Sequence, residues 1–432
     1  MTLELTSLIL LGSLLLMLLI GTEIAVAIGM TASIGLIFFA DQTLRQFAYS
    51  AWATMYSFIL TAVPLFVFMG AIFASTGLMH RLFDGANKLV GNLKGGLVNS
   101  VIMANAIFGA ISGSSLAAVA TFGKIAFPEM ERLGYDPKIS LGAIAAAGTL
   151  SVLIPPSLIF IVYGGWLDVS VSQLFAAGMM PGIILTIMFM VTVVMLLKFK
   201  PSLAQTTPKF SWREKIVALK QIIPFLVVIG IVLGMIFAGI TTPTEAAAIG
   251  AILSIILALI YRIIRFQHLS ESLLTAIKIT SMLAFVMFTA NVLGQVFQYI
   301  GVVDKFSEYM LALPFGRYGT LALICSVYII LGIFFDTFSM LILTLPFIGP
   351  VITNLGFDMV WFGVLFVLLA EMGLITPPFA LNLFVLKTAV VKHDIMTIAI
   401  GTLPFYIPLL LMIVLLVIFP QIATWFPNLL FG

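Results

Sequence analysis

The second half of this chain repeats the backbone-determining residues of the first half, so the two halves are predicted to share one architecture. Six residues recur 222 positions later: Glu23, Pro128, Gly134, Asp136, Pro155 and Pro156 return as Glu245, Pro350, Gly356, Asp358, Pro377 and Pro378. Four more recur 224 positions later: Gly70, Phe73, Gly77 and Gly95 return as Gly294, Phe297, Gly301 and Gly319. Most of these are glycine or proline, which set the shape of the backbone more than its surface chemistry.

The composition places this duplication in a membrane. The chain is 62% hydrophobic and 9% charged, whereas soluble domains are about a quarter charged. Apolar stretches long enough to cross a lipid bilayer follow one another from end to end, which predicts an all-α polytopic membrane protein. A net charge of +3 gives no indication of nucleic-acid binding, and the single cysteine excludes a disulfide framework. Long duplications in such chains are typical of secondary transporters.

Each half is predicted to contain five transmembrane crossings and one re-entrant hairpin. The first repeat covers 1–200, a cytoplasmic linker covers 201–221, and the second repeat covers 222–432. The predicted crossings are 3–21, 24–40, 51–79, 138–163, 171–197, 222–240, 245–264, 270–300, 359–388 and 396–425. The segments 96–131 and 320–354 fit poorly as single spans. Their arms of roughly 16 residues would be about 24 Å long, short of a hydrocarbon core of about 30 Å.

The distribution of basic residues predicts the orientation of the repeats. Five crossings are an odd number, so the second repeat must be inverted relative to the first. If the linker is cytoplasmic, all but three of the 20 lysines and arginines lie inside, the exceptions being Arg45, Lys305 and Arg317. This agrees with the positive-inside rule. Both termini would then face the periplasm, and the two hairpins would open to opposite sides.

The first repeat offers a candidate cation site between its hairpin tip and a double proline. The tip carries the hydroxyls of Ser112, Ser114 and Ser115. Because proline has no N–H, the helix containing Pro155 and Pro156 leaves nearby carbonyls without helical partners, and broken transporter helices bind Na⁺ with such oxygens. The alternatives are a small-residue packing face and an ordinary proline kink. The predicted ligands near this break are Gly148, Ser151 and Val152.

The second repeat offers a matching site with a carboxylate. Asp336 aligns with Ser114, and a carboxylate at membrane depth is costly and usually functional. The alternative is that Asp336 caps the outgoing arm of the hairpin, and both roles can hold together. The predicted ligands of this second site are Asp336, Thr337, Gly373, Leu374 and Thr376.

The half-helices that follow the two breaks are predicted to bind an anion. A helix N-terminus presents free N–H groups and a positive dipole end. The predicted substrate-binding residues are Pro156, Ser157, Pro378 and Asn382, with Glu371 as a relay group or substrate contact. The segments Thr22-Glu23 and Thr244-Glu245 are interpreted as helix starts. Without an HExxH, GxSxG or P-loop pattern, neither an intramembrane metalloprotease nor an ATP-driven pump is supported.

Five motifs together resemble one known family. They are Ser-Gly-Ser-Ser at 112–115, Phe-Pro-Glu-Met with Gly-Tyr-Asp in 127–136, Ile-Pro-Pro-Ser at 154–157, Thr-Pro-Thr-Glu-Ala-Ala-Ala-Ile-Gly at 242–250, and Gly-Leu-Ile-Thr-Pro-Pro at 373–378. The set is similar to the large membrane subunit, DctM type, of tripartite ATP-independent periplasmic (TRAP) transporters, over essentially the whole chain. The resemblance implies an elevator-type secondary transporter, not an enzyme, in the bacterial inner membrane, with Na⁺ as the usual coupling ion.

The same resemblance implies two protein partners and a class of substrate. The partners are a small four-helix membrane subunit, expected here as a separate chain, and a soluble periplasmic substrate-binding protein. The substrates would be organic acids such as C4-dicarboxylates or sialic acids. The residues alone leave open a stand-alone Na⁺/anion symporter, a channel, and a membrane-embedded enzyme acting on lipid or prenyl substrates. A neighbouring gene for a secreted binding protein would separate the first of these from a TRAP subunit.

Overall fold

The computed structural model describes residues 3–203 and 210–432, and these residues form helices without any strand. The first half contains α1 (Leu3–Leu19), α2 (Ile24–Phe38), α3 (Arg45–Met55), α4 (Ala62–Ser75), α5 (Leu78–Val90), α6 (Gly96–Ser112), α7 (Ser115–Ile125), α8 (Phe127–Arg132), α9 (Pro137–Gly148), α10 (Leu150–Leu153), α11 (Leu158–Leu167) and α12 (Val171–Phe199). The second half contains α13 (Trp212–Phe237), α14 (Pro243–Ile260), α15 (Phe266–Tyr299), α16 (Val302–Leu311), α17 (Gly316–Phe334), α18 (Thr337–Asn354), α19 (Met359–Leu374), α20 (Leu381–Ala389), α21 (Ile395–Ile418) and α22 (Gln421–Phe431).

Many of these helices are suited to a bilayer. Within the described residues, seven helices are long and apolar enough to cross a membrane, and the number rises to nine if each of two bent pairs is one span. The two pairs are Arg45–Met55 with Ile59–Ser75, bent by 64°, and Pro137–Leu153 with Leu158–Leu167, bent by 40°. The prediction of an all-α polytopic membrane protein is therefore confirmed.

Three predicted boundaries differ from the structure. The predicted crossing 51–79 is two helices, because the chain bends after α3 and α4 begins at Ala62, where Pro64 fits the first turn of a new helix. The predicted crossing 396–425 ends at Ile418, and α22 starts just after Pro420. Part of the predicted linker is helical, because Ser211 and Glu214 form a capping box that starts α13 at Trp212. Residues 204–209 of that linker lie outside the described residues.

The helices pack in two groups. In the first group, α15 packs against α2, α3 and α4, and α14 packs against α4 and α13. In the second group, α9 packs against α6 and α21, and α12 packs against α6, α19, α21 and α22. Helix α5 lies between the groups, since it packs against α13 of the first and α6 of the second.

The second group has the same order of contacts in both halves of the chain. In the first half, α9 and α10 pack against α6, while α11 beyond the double proline packs against α18 of the other half. In the second half, α19 packs against α17, while α20 beyond the double proline packs against α7. Each interrupted helix therefore contacts both the α6–α7 pair and the α17–α18 pair.

Candidate functional site

Both helix pairs turn at a capped N-terminus. Gly113, with φ of 59°, ends α6, and the hydroxyl of Ser114 accepts the N–H of Ala117 at 3.4 Å to cap α7. The carboxylate of Asp336 caps α18 by accepting the N–H groups of Phe338 at 3.0 Å and Ser339 at 3.2 Å. Ser114 and Asp336 thus occupy equivalent positions, and the capping role foreseen for Asp336 is present.

Two details of the predicted hairpins were wrong. The first turn is confined to Gly113 and Ser114, because 109–112 remain helical at the end of α6. The arms of the second pair contain 19 and 18 residues, and both helices are long enough to cross a membrane. Helix length therefore gives no reason for α17 and α18 to be re-entrant, although α7, with 11 residues, is shorter than a span.

The first tip lies directly against the first double-proline break. A Cβ placed on Gly113 would be 2.9 Å from the carbonyl oxygen of Pro156, and one on Gly109 would be 2.4 Å from the Cα of Ser151. A Cβ on Gly148 would be 3.3 Å from the carbonyl oxygen of Ser115. Since only glycine permits these approaches, the residues predicted for the first cation site are brought together. The hydroxyl of Ser112 is buried there without a hydrogen-bond partner in the described residues.

The second tip also adjoins its break. A Cβ on Gly373 would lie 2.4 Å from the Cα of Gly332, and this contact corresponds to that of Gly109 with Ser151. The rings of Phe334 and Phe379 lie 5.2 Å apart. The predicted residues of the second site therefore share one neighbourhood, on the α17 side of α19.

One predicted ligand of the second site has an internal partner. The carbonyl of Gly373 was expected to lack a partner, but it accepts the N–H of Thr376 at 2.9 Å. Thr376 retains an N–H that a tighter, three-residue turn can use, whereas Pro377 has none. The hydroxyl of Thr376 donates to the carbonyl of Met372 at 2.7 Å. The two breaks also differ in exposure, because Pro155 and Pro156 are buried while Pro377 and Pro378 are exposed.

A cavity of about 610 Å³ reaches the first tip, and we call it the Lys124 cavity. Its inner end is lined by Ser112, Ser114, Leu158 and Phe338, and its walls include α4, α7 and α15. The predicted substrate-binding residues do not line it: Pro156, Ser157, Pro378, Asn382 and Glu371 lie outside its lining.

Lys124 is the lining residue that the sequence interpretation missed as a candidate. Lys124 lies in the last turn of α7, the helix that begins at Ser115, and it is exposed in the cavity wall. Its charge had been counted only as part of the positive-inside pattern. The available signal was its position ten residues beyond Ser114 on one continuous helix.

Two buried polar side chains on α19 and α20 have unsatisfied atoms. Asn382 is 0% exposed, and neither amide atom of its side chain has a hydrogen-bond partner within the described residues. Glu371 is 1% exposed, and its Oε1 accepts hydrogen bonds from the hydroxyls of Ser115 and Thr337, while its Oε2 has no partner there. Buried polar atoms are normally satisfied, so these atoms mark places where a ligand, an ion or water can bind.

A bundle of membrane-crossing helices with interrupted helices and a cavity that reaches them is the architecture of a membrane transporter. The family described as the tripartite ATP-independent periplasmic transporter, DctM component, matches residues 11–422. The chain belongs to this family. It is a large permease subunit, not an enzyme, and a multi-pass protein of the bacterial inner membrane. Such a subunit works with a small membrane subunit and a periplasmic binding protein.

Curated relatives match nearly full length. The chain is 33% identical to the C4-dicarboxylate TRAP transporter large permease protein DctM of Pseudomonas aeruginosa, over 93% of this chain and 94% of that protein. It is 32% identical to the sialic acid TRAP transporter large permease protein SiaM of Vibrio cholerae, over 87% and 88%. It is also 32% identical to the ectoine TRAP transporter large permease protein TeaC of Halomonas elongata, over 86% and 87%. The named substrates of these relatives differ.

A solved structure shares the fold. The YdaH transporter of Alcanivorax borkumensis superposes with a TM-score of 0.59, at 14% sequence identity, over 88% of each chain. At this identity the likeness extends to the fold alone.

Proposed function

We propose that this subunit imports an organic acid, of the C4-dicarboxylate or sialic-acid type, by Na⁺ symport after delivery by a periplasmic binding protein. The observation that carries the proposal is the convergence of two capped tips on two proline-interrupted helices, most clearly where Gly113 meets Pro156. Such meeting points of interrupted helices hold ions and substrate in secondary transporters. The names of the dicarboxylate and sialic-acid relatives support the substrate class.

Na⁺ would be held by two groups of oxygens. The first group is Ser112, Ser114 and Ser115 with the break at Gly148, Ser151 and Val152; the second is Asp336 and Thr337 with Gly373, Leu374 and Thr376. Pro155 and Pro156 carry no N–H that could occupy the carbonyls of Ser151 and Val152. The buried, unpartnered hydroxyl of Ser112 supports the first site. The carboxylate of Asp336 gives the second site a negative charge that the first one lacks.

The substrate would occupy the inner end of the Lys124 cavity. Lys124 and His80 line this cavity and lie in segments predicted to be cytoplasmic, so the cavity would be the cytoplasmic exit. The second helix group would then slide against the first as one body in an elevator motion. The position of α5, packed against both groups, suits a connecting arm.

We expect uptake to require a Na⁺ gradient and no nucleotide. Proteoliposomes containing this chain with its small subunit, supplied with binding protein and labelled organic acid, should accumulate substrate when Na⁺ is outside. Omitting the binding protein provides the control for delivery. Equal accumulation in Na⁺-free buffer under a proton gradient alone would contradict Na⁺ coupling.

We expect Lys124→Gln to weaken the interaction with an anionic substrate on the cavity side. A pair of unit charges about 4 Å apart contributes about 1 kcal/mol in water, so the half-saturating substrate concentration should rise about fivefold in substrate exchange across proteoliposomes. The effect should shrink when choline chloride is added, because salt screens exposed charges. Lys220→Gln is the matched control, since Lys220 is exposed on α13 and does not line the cavity. Identical exchange by both variants would remove Lys124 from the substrate path.

A further inference from the structure

Glu371 joins the two tips through a single oxygen atom. Its Oε1 accepts one hydrogen bond from the hydroxyl of Ser115 at 3.4 Å and another from the hydroxyl of Thr337 at 3.1 Å. Ser115 is the first residue of α7, and Thr337 is the first residue of α18. The two hydroxyls are 222 residues apart and belong to different halves of the chain. One carboxylate on α19 is thus in contact with the corresponding point of both tips.

The surroundings of Glu371 contain partial positive charges but no cationic side chain bonded to it. The N-termini of α7 and α18 begin at the two residues that contact its carboxylate, and helix N-termini favour a nearby negative charge. Within the described residues, no lysine, arginine or histidine forms an ion pair with Glu371. Its Oε2 is buried without a partner, and a buried unsatisfied oxygen is costly. A cation held nearby would remove that cost.

This carboxylate is present in one repeat only. The position 222 residues earlier is Thr149, whose hydroxyl donates to the carbonyl of Ala146 in its own helix at 2.6 Å. Thr149 therefore has a local partner, whereas Glu371 has partners on both tips. The difference between the repeats gives the pair of sites one shared acidic group instead of two separate ones.

We propose that Glu371 is the positioning residue that couples the two candidate Na⁺ sites, and not a contact to the substrate. The inference rests on the proposed function, because it assumes that the tips bind Na⁺. A cation at one tip would fix that tip's hydroxyl on Oε1 and so hold the carboxylate in place for the other tip. Binding of Na⁺ at the two sites would then be cooperative. A carboxylate would also repel an organic acid, which disfavours direct contact with the substrate.

The decisive experiment changes one tip and observes the other. Cys325 is the only cysteine, so a Cys325→Ser background with Ala117→Cys has one reporter thiol, on α7 in the exposed wall of the Lys124 cavity. The rate of thiol alkylation is measured against Na⁺ concentration on the full chain with its small subunit in proteoliposomes. Thr337→Ala then alters only the α17–α18 tip. We expect it to raise the half-saturating Na⁺ concentration at the α7 reporter about tenfold and to flatten the curve, since a hydrogen bond to a charged group is lost.

A matched control is available on the same helix. Thr353→Ala removes an identical hydroxyl from α18, but that hydroxyl donates only to the carbonyl of Gly349 within the helix, at 3.0 Å. This variant should give the wild-type Na⁺ curve. If Thr337→Ala also gives the wild-type curve, the coupling proposal is overturned, while a Na⁺ response in the wild type would leave the proposed function intact. Absence of any Na⁺ response in the wild-type reporter, together with Na⁺-independent transport, would overturn both.

Variants of Glu371 itself separate its charge from its hydrogen bonds. Glu371→Gln keeps an oxygen that both hydroxyls can reach but removes the charge, so the Na⁺ curve should shift about tenfold and stay steep. Glu371→Ala removes both, so the curve should shift and flatten. If Glu371→Gln instead raises the half-saturating concentration of substrate and leaves the Na⁺ curve unchanged, Glu371 is a substrate contact and the proposal is wrong. The Thr337→Ala measurement decides the matter should Glu371→Ala fail to fold.

Discussion

Replacing Gly401 by valine is expected to prevent stable assembly of the two halves. Gly401 of α21 and Gly142 of α9 meet where their backbones touch: a Cβ on Gly401 would lie 2.0 Å from the carbonyl oxygen of Lys138, and one on Gly142 would lie 2.0 Å from the carbonyl oxygen of Gly401. A backbone carbonyl cannot turn away as a side chain can. Small residues permit such close crossings in membranes, so the two helices would have to separate.

The size of this loss should exceed that of an ordinary overpacked site. Overpacking a core costs about 1–3 kcal/mol where side chains can adjust, and here they cannot, so we expect a loss of about 3 kcal/mol or more. Heated samples in detergent, followed by fluorescence-detected size-exclusion chromatography, should show the folded peak lost at a lower temperature, with Gly401→Ala intermediate between wild type and Gly401→Val.

Two other glycines serve as matched controls for that experiment. Gly12 of α1 and Gly234 of α13 also lie inside helices, but a Cβ on either would meet no atom within 4 Å. Alanine is the better helix former, so Gly12→Ala and Gly234→Ala should retain the wild-type thermal profile. A Gly401→Val variant as stable as these two would show that the crossing of α9 and α21 can open without cost.

The features predictable from the sequence are those encoded locally. Proline has the same effect on a helix wherever it stands, so the interruptions near Pro155 and Pro377 could be foreseen, as could the aligned positions of Ser114 and Asp336. The capped start of α14 follows the same logic, because Thr242 and Glu245 form a capping box. Family membership, too, was readable from short motifs and is confirmed by the match over residues 11–422.

The features that escaped prediction depend on contacts between distant segments. Nothing near Gly142 in the sequence indicates that Gly401 touches it, and nothing near Glu371 indicates that Ser115 and Thr337 meet its carboxylate. The length argument for the second tip failed for another reason. It divided 320–354 at its polar centre, whereas α17 begins earlier, at Gly316, and the turn is limited to Phe335 and Asp336. The arms are therefore longer than the 16 residues assumed.

Loss of the charge of Asp336 is expected to abolish or severely weaken Na⁺-driven transport without unfolding the protein. Asp336→Asn keeps a side chain that caps helices about as well as aspartate, so the N–H groups of Phe338 and Ser339 should remain satisfied. The negative charge proposed to hold the cation would be gone. Since interactions of charged groups contribute about 1.5–3 kcal/mol, the half-saturating Na⁺ concentration for uptake should rise at least about tenfold.

Two further variants separate this electrostatic role of Asp336 from its capping role. Asp336→Ala loses the cap as well, which costs about 1 kcal/mol of stability, and it should lower the temperature at which the folded peak is lost, whereas Asp336→Asn should not. Ser114→Ala removes the equivalent cap of α7, where the Ser114 hydroxyl accepts the N–H of Ala117, without changing any charge. It should therefore have a smaller effect on Na⁺ dependence than Asp336→Asn. If Asp336→Asn transports with wild-type Na⁺ dependence while Asp336→Ala is merely less stable, Asp336 is a helix cap alone, and the second cation site must be built from other oxygens.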